Sequence, residues 1–328
     1  MRSNPAPLPL PTFPGERRKI ARPTALSPED VRDSADLARL IADCRIEDGK
    51  GFRLKDHAPR VPDPPLDKAA AEVALSAAVA KLDGLQQRLY AEDRQSVLAI
   101  FQAMDGAGKD STIRAVFSGI NPQGCQVAAF KAPGPAELEH DFLWRHMHAL
   151  PARGNIAVHN RSWYEEVLVV RVHPEILARR KIPADSVDEK FWDTRLRDIA
   201  GFERYLANQG CIVLKFFLNL GYDEQRERFL SRIDEREKTW KFDAGDIAER
   251  KHWAAYQRAY EAAIAGTATP DTPWIVVPAD RKWLARLIVA ETLVAALEKA
   301  DPQYPAADTQ GLQAIRAALL EDGAGEHA

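Results

Sequence analysis

The chain has 328 residues, 45% hydrophobic and 28% charged, and its 45 Lys and Arg against 48 Asp and Glu leave a formal net charge of −3. That length holds one large α/β domain with extensions or two smaller domains, and the apolar content is ample for a core. So balanced a charge excludes a uniformly basic coat, and partners have to be read from local clusters.

Residues 1–28 carry Pro5, Pro7, Pro9, Pro11, Pro14, Pro23 and Pro28, a density that blocks helix and sheet, and are expected to form a disordered tail. A helical extension is expected over residues 29–95. Ser27, Pro28, Glu29 and Asp30 offer a cap, a first-turn proline and acidic residues to a helix presenting Leu37, Leu40 and Ile41. A longer helix is expected from about Leu66 to Glu92, where Val73, Leu75, Val79, Leu82, Leu85, Leu89 and Tyr90 recur near a 3.6-residue period. Both helices read as packing elements.

The organising stretch is Ser96 to Gly119. The run Val97-Leu98-Ala99-Ile100-Phe101 has the length and composition of a strand buried on both faces. A turn through Asp105, Gly106, Ala107 and Gly108 follows, then Lys109, Asp110, Ser111 and a helical pattern carrying Ile113, Val116 and Phe117. Strand, glycine turn, lysine, hydroxyl and helix make a phosphate-binding loop, in which backbone amides and the positive helix end cradle phosphate oxygens. It departs from the usual Gly-x-x-x-x-Gly-Lys-[Ser/Thr] pattern: Ala103 replaces the first glycine, and Asp110 follows the lysine. A carboxylate inside the loop repels phosphate unless a divalent cation lies between them, so Asp105 reads as a Mg²⁺ ligand, direct or through water.

Residues Cys125 to Phe130 read as the next strand, ending at Lys131. A helix with Leu138, Phe142, Leu143 and Met147 then carries Arg145. The third strand, Asn155 to His159, delivers Asn160, Arg161 and Ser162 to its C-terminal end, where ligands bind in open parallel sheets. A helix from Trp163 to Val172 carries Arg171, and another runs from about Asp188 to Asn208. Strands at Cys211–Leu218 and Trp274–Val277 and a helix at Lys282–Lys299 complete a domain over 96–300, leaving 301–328 as a tail with a short helix, Leu312 to Leu320. The expected fold is an α/β parallel sheet of five strands around a phosphate loop (P-loop), with helices on both faces.

Basic residues recur in the segment 226–252. Arg228, Arg232 and Arg236 share one helix face at four-residue spacing, followed by Lys238, Trp240, Lys241, Arg250 and Lys251. Interleaved Glu227, Asp234, Glu235 and Glu237 suit an exposed, salt-bridged helix, whereas the position after a strand that opens near the loop suits a lid over phosphates. Glu165 and Glu166 read either as contacts for a metal or nucleotide or as helix-start carboxylates set by the dipole. The histidines match no metal or triad spacing. Cys44, Cys125 and Cys211 lie far apart and read as free thiols of a reducing cytoplasm. No apolar run approaches the ~20 residues of a membrane span, and no hydrophobic signal core opens the chain.

Taken together these blocks resemble the polyphosphate kinase 2 family. The resemblance is carried by QAMDGAGKDST (Gln102–Thr112), SGINPQGCQV (Ser118–Val127), FKAPGPAELEHDFLWR (Phe130–Arg145), NRSWYEEVLVVRVHP (Asn160–Pro174), Trp240–Phe242 and VVPADRKW (Val276–Trp283). It implies a cytoplasmic, Mg²⁺-dependent enzyme, with Mn²⁺ as a substitute, that moves phosphate reversibly between inorganic polyphosphate and AMP or ADP to give ATP. Other purine nucleotides are further acceptors, with no nucleic acid or membrane partner, and the enzyme is a homo-oligomer. Asp105 then resembles the metal-organising aspartate, Lys109 the phosphate-loop lysine, and Arg161 the arginine of an Asp-Arg-Ser box that here reads Asn160-Arg161-Ser162. Gly106, Ala107, Gly108, Asp110, Ser111, Asn160 and Glu165 would surround phosphate and nucleotide. The pairing of Asn160 with Glu165 is similar to the subgroup accepting both mono- and diphosphates. Lys131, Arg145, Arg171, Arg232, Arg236, Lys238 and Lys241 would line the polyphosphate channel and lid. Two rival readings are an ATP-dependent kinase with the same loop and a nucleic-acid-binding module; against the latter, aromatic residues do not interleave a dominant basic face.

Overall fold

The computed structural model describes residues 34–235 and 244–322, so the proline-rich tail, the Ser27 cap and Arg236, Lys238 and Lys241 lie outside the described residues. Its strands are β1 (Arg45–Ile46), β2 (Ser96–Ala103), β3 (Cys125–Ala129), β4 (Ile156–Asn160), β5 (Cys211–Asn219) and β6 (Trp274–Pro278). Among the described residues they form a six-stranded sheet in the order β1-β6-β5-β2-β4-β3. β2 to β6 run parallel; β1 lies antiparallel on β6, Arg45 opposite Ile275. The expected five strands therefore gain a sixth. With two residues, β1 is too short to show an alternating pattern, and it is held by β6 and by the Val276 amide donating to the Cys44 carbonyl at 2.8 Å.

β2 is buried along all eight residues because β4 and β5 flank it and helices cover both faces. Alternate side chains divide between two cores: Val97, Ala99 and Phe101 point to one, Leu98 and Ile100 to the other. The helices are α1 (Ala35–Asp43), α2 (Lys68–Glu92), α3 (Lys109–Phe117), α4 (Trp144–Met147), α5 (Val169–Val172), α6 (Pro174–Leu177), α7 (Phe191–Asn208), α8 (Tyr222–Asp234), α9 (Ala244–Arg250), α10 (Trp253–Thr267), α11 (Lys282–Ala300) and α12 (Thr309–Asp322). α2, α3 and α11 cover the first face, and α7 and α10 the second.

α2 starts where the Asp67 side chain accepts from the Ala70 amide at 2.8 Å, satisfying one of the free first-turn donors. Its contact stripe differs from the expected one. Ala71, Ala74, Ala78, Leu82, Leu85 and Leu89 are buried, whereas Val73 and Tyr90 are 49% and 47% exposed. Alanine lets α2 close on α11, with Leu37 of α1 packed at the same junction.

Two expected helices break up. The Leu138–Met147 segment holds a 3-10 turn at Glu137–Glu139 and α4, because His140 is extended and the Asp141 carboxylate accepts from the Leu143 amide at 2.9 Å. The Trp163–Val172 segment holds a 3-10 turn at Trp163–Glu166 and then α5. Trp163, Tyr164, Val167 and Leu168 are all buried, which one regular helix with a single apolar stripe does not allow. Cys44, Cys125 and Cys211 are free thiols. Among the described residues no helix is long and apolar enough to cross a membrane.

Candidate active site

The phosphate loop leaves the centre of the sheet at the end of β2 and enters α3. Gly106 and Gly108 have φ of 83° and 96°, the left-handed region that glycine enters without steric cost. A Cβ at Gly106 would also lie 3.1 Å from the Phe229 ring. Beneath the turn, α8 supplies donors to three successive carbonyls. Gln225 Nε2 donates to the Asp105 carbonyl at 2.8 Å, and Arg228 Nη1 donates to those of Gly106 and Ala107 at 3.1 and 2.9 Å. In a trans peptide N–H and C=O point opposite ways, so the Gly106 and Gly108 amides face away from α8. Arg228 Nη2 also donates to the Ala279 carbonyl at 2.6 Å, tying the loop to the end of β6.

β4, next to β2, brings the second set of residues. The Arg161 amide donates to the Phe101 carbonyl at 3.0 Å. Its guanidinium lies 3.6 Å from the Asp105 carboxylate, and Asn160 Nδ2 donates to Asp110 Oδ1 at 2.7 Å. Arg161 has φ of 68°, a region few non-glycine residues occupy and one that recurs at functional sites. Ser162 accepts from the Tyr164 amide and from Gln102 Nε2, each at 3.2 Å, which fixes the turn carrying Glu165. Lys109 Nζ reaches back to the Ala103 carbonyl at 3.4 Å, and Ser111 Oγ donates to the Gly108 carbonyl at 2.8 Å. A cavity of 280 Å³ opens here, with Asp105, Lys131, Arg145, Arg161, Glu165 and Arg250 on its walls.

The sequence profile of the polyphosphate kinase 2 family matches residues 65–305. The chain belongs to the polyphosphate kinase 2 family. It is 54% identical over 228 residues, 69% of its length and 79% of the relative's, to a Rhodopseudomonas palustris protein named ADP-polyphosphate phosphotransferase. It is 46% identical over 242 residues, 74% of its length and 86% of the relative's, to the AMP/ADP-polyphosphate phosphotransferase of Meiothermus ruber. The crystal structure of polyphosphate kinase 2 from Arthrobacter aurescens TC1 superimposes with a TM-score of 0.77 at 37% identity, over 92% of this chain and 99% of that one.

In this polyphosphate kinase 2 chain, burial and neighbouring charges oppose one another at the loop. Desolvation and Arg161 push the Lys109 ammonium down from its usual value, against Glu165, Asp105 and Asp110. Desolvation pushes the Glu165 carboxyl up, against Lys109 and Arg161. The other expected arginines have partners of their own. Arg171 stacks on Trp192, 5.6 Å from the ring centroid, and does not line the cavity. Arg145 pairs with Glu137 at 3.2 Å and covers the Phe130 ring at 5.3 Å. Arg232 pairs with Asp246 at 3.3 Å. Arg228, grouped with Arg232 by spacing alone, is buried against loop carbonyls. Sequence reading did not single out Gln225 or Glu249, which line the cavity beside Arg250, a residue read from the sequence within the basic segment 226–252. Their signal is their place after the strand that neighbours the loop.

Proposed function

We propose that this chain transfers phosphoryl groups reversibly between inorganic polyphosphate and the nucleotides AMP and ADP, forming ATP. The observation that carries the reading is the phosphate loop with Asp105 facing Arg161, in a chain whose relatives are named for polyphosphate transfer to ADP or to AMP and ADP. The loop amides, Lys109 and Arg161 bind and orient the two phosphate-bearing substrates so that an acceptor oxygen approaches the terminal phosphorus in line. Positive charge around the transferred group stabilises its oxygens, and no protein nucleophile is required.

The donor set fits Mg²⁺, which in such sites takes one or two carboxylates plus substrate phosphates rather than an all-protein cage. Asp105 offers a half-buried carboxylate at the loop, and among the described residues no larger cluster of His, Cys, Asp and Glu competes for a metal. Asp105 would hold the ion, which when bound neutralises phosphate charge; Mn²⁺ offers the same coordination. Lys131 and Arg145 on the cavity wall support a channel for the polyanion. The segment 226–252 is read as the lid, supported by Arg250 at the cavity. A cytoplasmic home is supported by the three free thiols. Self-association is supported by the exposed Leu312, Ile315 and Leu319 stripe of α12 and is measured by light scattering.

The test is nucleotide-resolved chromatography of reactions containing polyphosphate, Mg²⁺ and either AMP or ADP. ATP from both acceptors supports the broad subgroup suggested by Asn160 and Glu165; ATP from ADP alone narrows it. No product from polyphosphate, with turnover from ATP, would establish an ATP-dependent kinase instead. Lys109→Ala and Asp105→Ala are each expected to lower kcat by about 10²–10³-fold with the circular dichroism spectrum unchanged. Near-normal turnover in either variant would remove the assigned roles.

A further inference from the structure

Of the three carbonyls held by α8, that of Asp105 accepts from a neutral amide, whereas the other two accept from the Arg228 guanidinium. The peptide joining Asp105 to Gly106 is followed by a glycine at φ 83°, and glycine tolerates the rotated peptide almost as well as the observed one. Rotation would turn the Gly106 amide toward α8. The Gln225 Nε2 bond to the Asp105 carbonyl, at 2.8 Å, opposes it.

Gln225 is 2% exposed and has a second partner at its other end. Its Oε1 accepts from Arg250 Nη1 at 2.9 Å. The same nitrogen donates to the Tyr222 carbonyl at 2.7 Å, and the guanidinium carbon lies 3.5 Å from the centroid of the Tyr222 ring. Arg250 closes α9, whose preceding residue, Glu249, accepts from the Tyr256 hydroxyl at 2.6 Å and meets His173 Nε2 at 2.9 Å. One buried side-chain amide therefore joins the end of α9 to the phosphate loop. A charged donor at the amide oxygen polarises the group and strengthens donation from its nitrogen.

We infer that Gln225 is a positioning residue that makes the geometry of Asp105 and the Gly106 amide depend on the seating of α9 through Arg250. Its meaning for catalysis rests on the functional reading above; the physical link between Arg250 and the loop does not. Lys109 and Arg161 are untouched by the link, so its loss acts on kcat more than on KM.

The experiment compares full-length wild type, Gln225→Met, Gln225→Glu, Arg250→Met and the Gln225→Met/Arg250→Met double variant. Three readouts are taken: steady-state ATP formation from ADP, polyphosphate and Mg²⁺, amide hydrogen exchange of the peptide spanning the loop, and Tm. Each single variant is expected to lower kcat by about tenfold or more and to speed loop exchange, with KM for polyphosphate within about threefold in the two Gln225 variants. The double variant is expected to be no worse than the poorer single, because both substitutions cut the same link. Gln225→Glu keeps an acceptor for Arg250 but has no N–H for Asp105, so it should behave like Gln225→Met in kcat and loop exchange; a merely structural role would lower Tm without the selective fall in kcat. Multiplying effects, a wild-type-like Gln225→Glu, or loop exchange indifferent to Arg250→Met would overturn the inference. A wild type inert with polyphosphate whose loop exchange still responds to Arg250→Met would sustain the link and remove the functional reading.

Discussion

On the face covered by α2, α3 and α11, the sheet meets alanine, leucine, isoleucine and valine almost throughout. On the face covered by α7 and α10 it meets a buried ion pair, Lys215 Nζ to Glu203 Oε2 at 2.6 Å, with both side chains 0% exposed. Lys215 also donates to the Thr267 carbonyl at 2.8 Å. Glu203 Oε1 accepts from the Tyr164 hydroxyl at 2.7 Å and from Trp163 Nε1 at 3.1 Å. Burial pushes the Lys215 ammonium down, against Glu203, and pushes the Tyr164 hydroxyl well up. Apolar contacts are non-directional and supply cohesion. The polar network supplies direction: it pins Trp163 and Tyr164, the two residues between Ser162 and Glu165, and so the turn that carries half the site. A buried charge pair is weak evidence for net stability, because desolvation offsets much of its attraction. Its value here is orientation.

Breaking one partner of that pair has the largest expected effect on stability. Lys215→Met leaves Glu203 buried without its cation and should cost about 3–5 kcal/mol in urea unfolding. Adding Glu203→Gln should recover part of the loss, since a neutral amide still accepts from Trp163 and Tyr164; no recovery would mean the network is not electrostatic. Next comes Leu82→Ala on the apolar face, expected to cost about 2–5 kcal/mol through a cavity. Because α2 holds no site residue, both KM values should stay unchanged in Leu82→Ala, and a shift in either would erase the distinction between the faces.

The smallest effect lies at the rim. Burial lowers the His173 imidazole, but the carboxylates of Glu249 and Glu175 outweigh it and leave the group raised from its ordinary value. A raised folded value stabilises the protein below about pH 6.5, the unfolded value, and the gain is lost as pH rises through the folded one. The difference in Tm between wild type and His173→Asn should thus be largest near pH 6 and absent by about pH 9, with Tyr256, His252 and Glu175 left in place. A pH-independent difference would assign His173 to packing.

The unbroken apolar run of β2 and the glycines of its turn made the phosphate loop legible, since both are local. Parallel pairing of β2 with β4 then brings Asn160 and Arg161 beside Asp105, as alternating strands and helices imply. What escaped is long-range or goes against hydrophobicity. Gln225 and Arg228 act on carbonyls more than a hundred residues away in sequence, and such bonds leave no periodic trace. Small alanines form the α2 contact although Val73 and Tyr90 offer larger apolar surfaces. Lys215 sits inside an apolar strand, where its charge made sense only with Glu203 across the core. Arg171 was placed by a continuous helix that the buried Trp163 and Tyr164 interrupt.

Arg161 carries a consequence for anyone hardening this enzyme against heat. Its φ of 68° costs an L-residue about 1–2 kcal/mol that glycine would not incur. A library sorted for heat survival alone would therefore enrich Arg161→Gly and discard the guanidinium facing Asp105 in the same step. Thermal selection and turnover pull in opposite directions at this position, so a useful screen has to read phosphate transfer in every round.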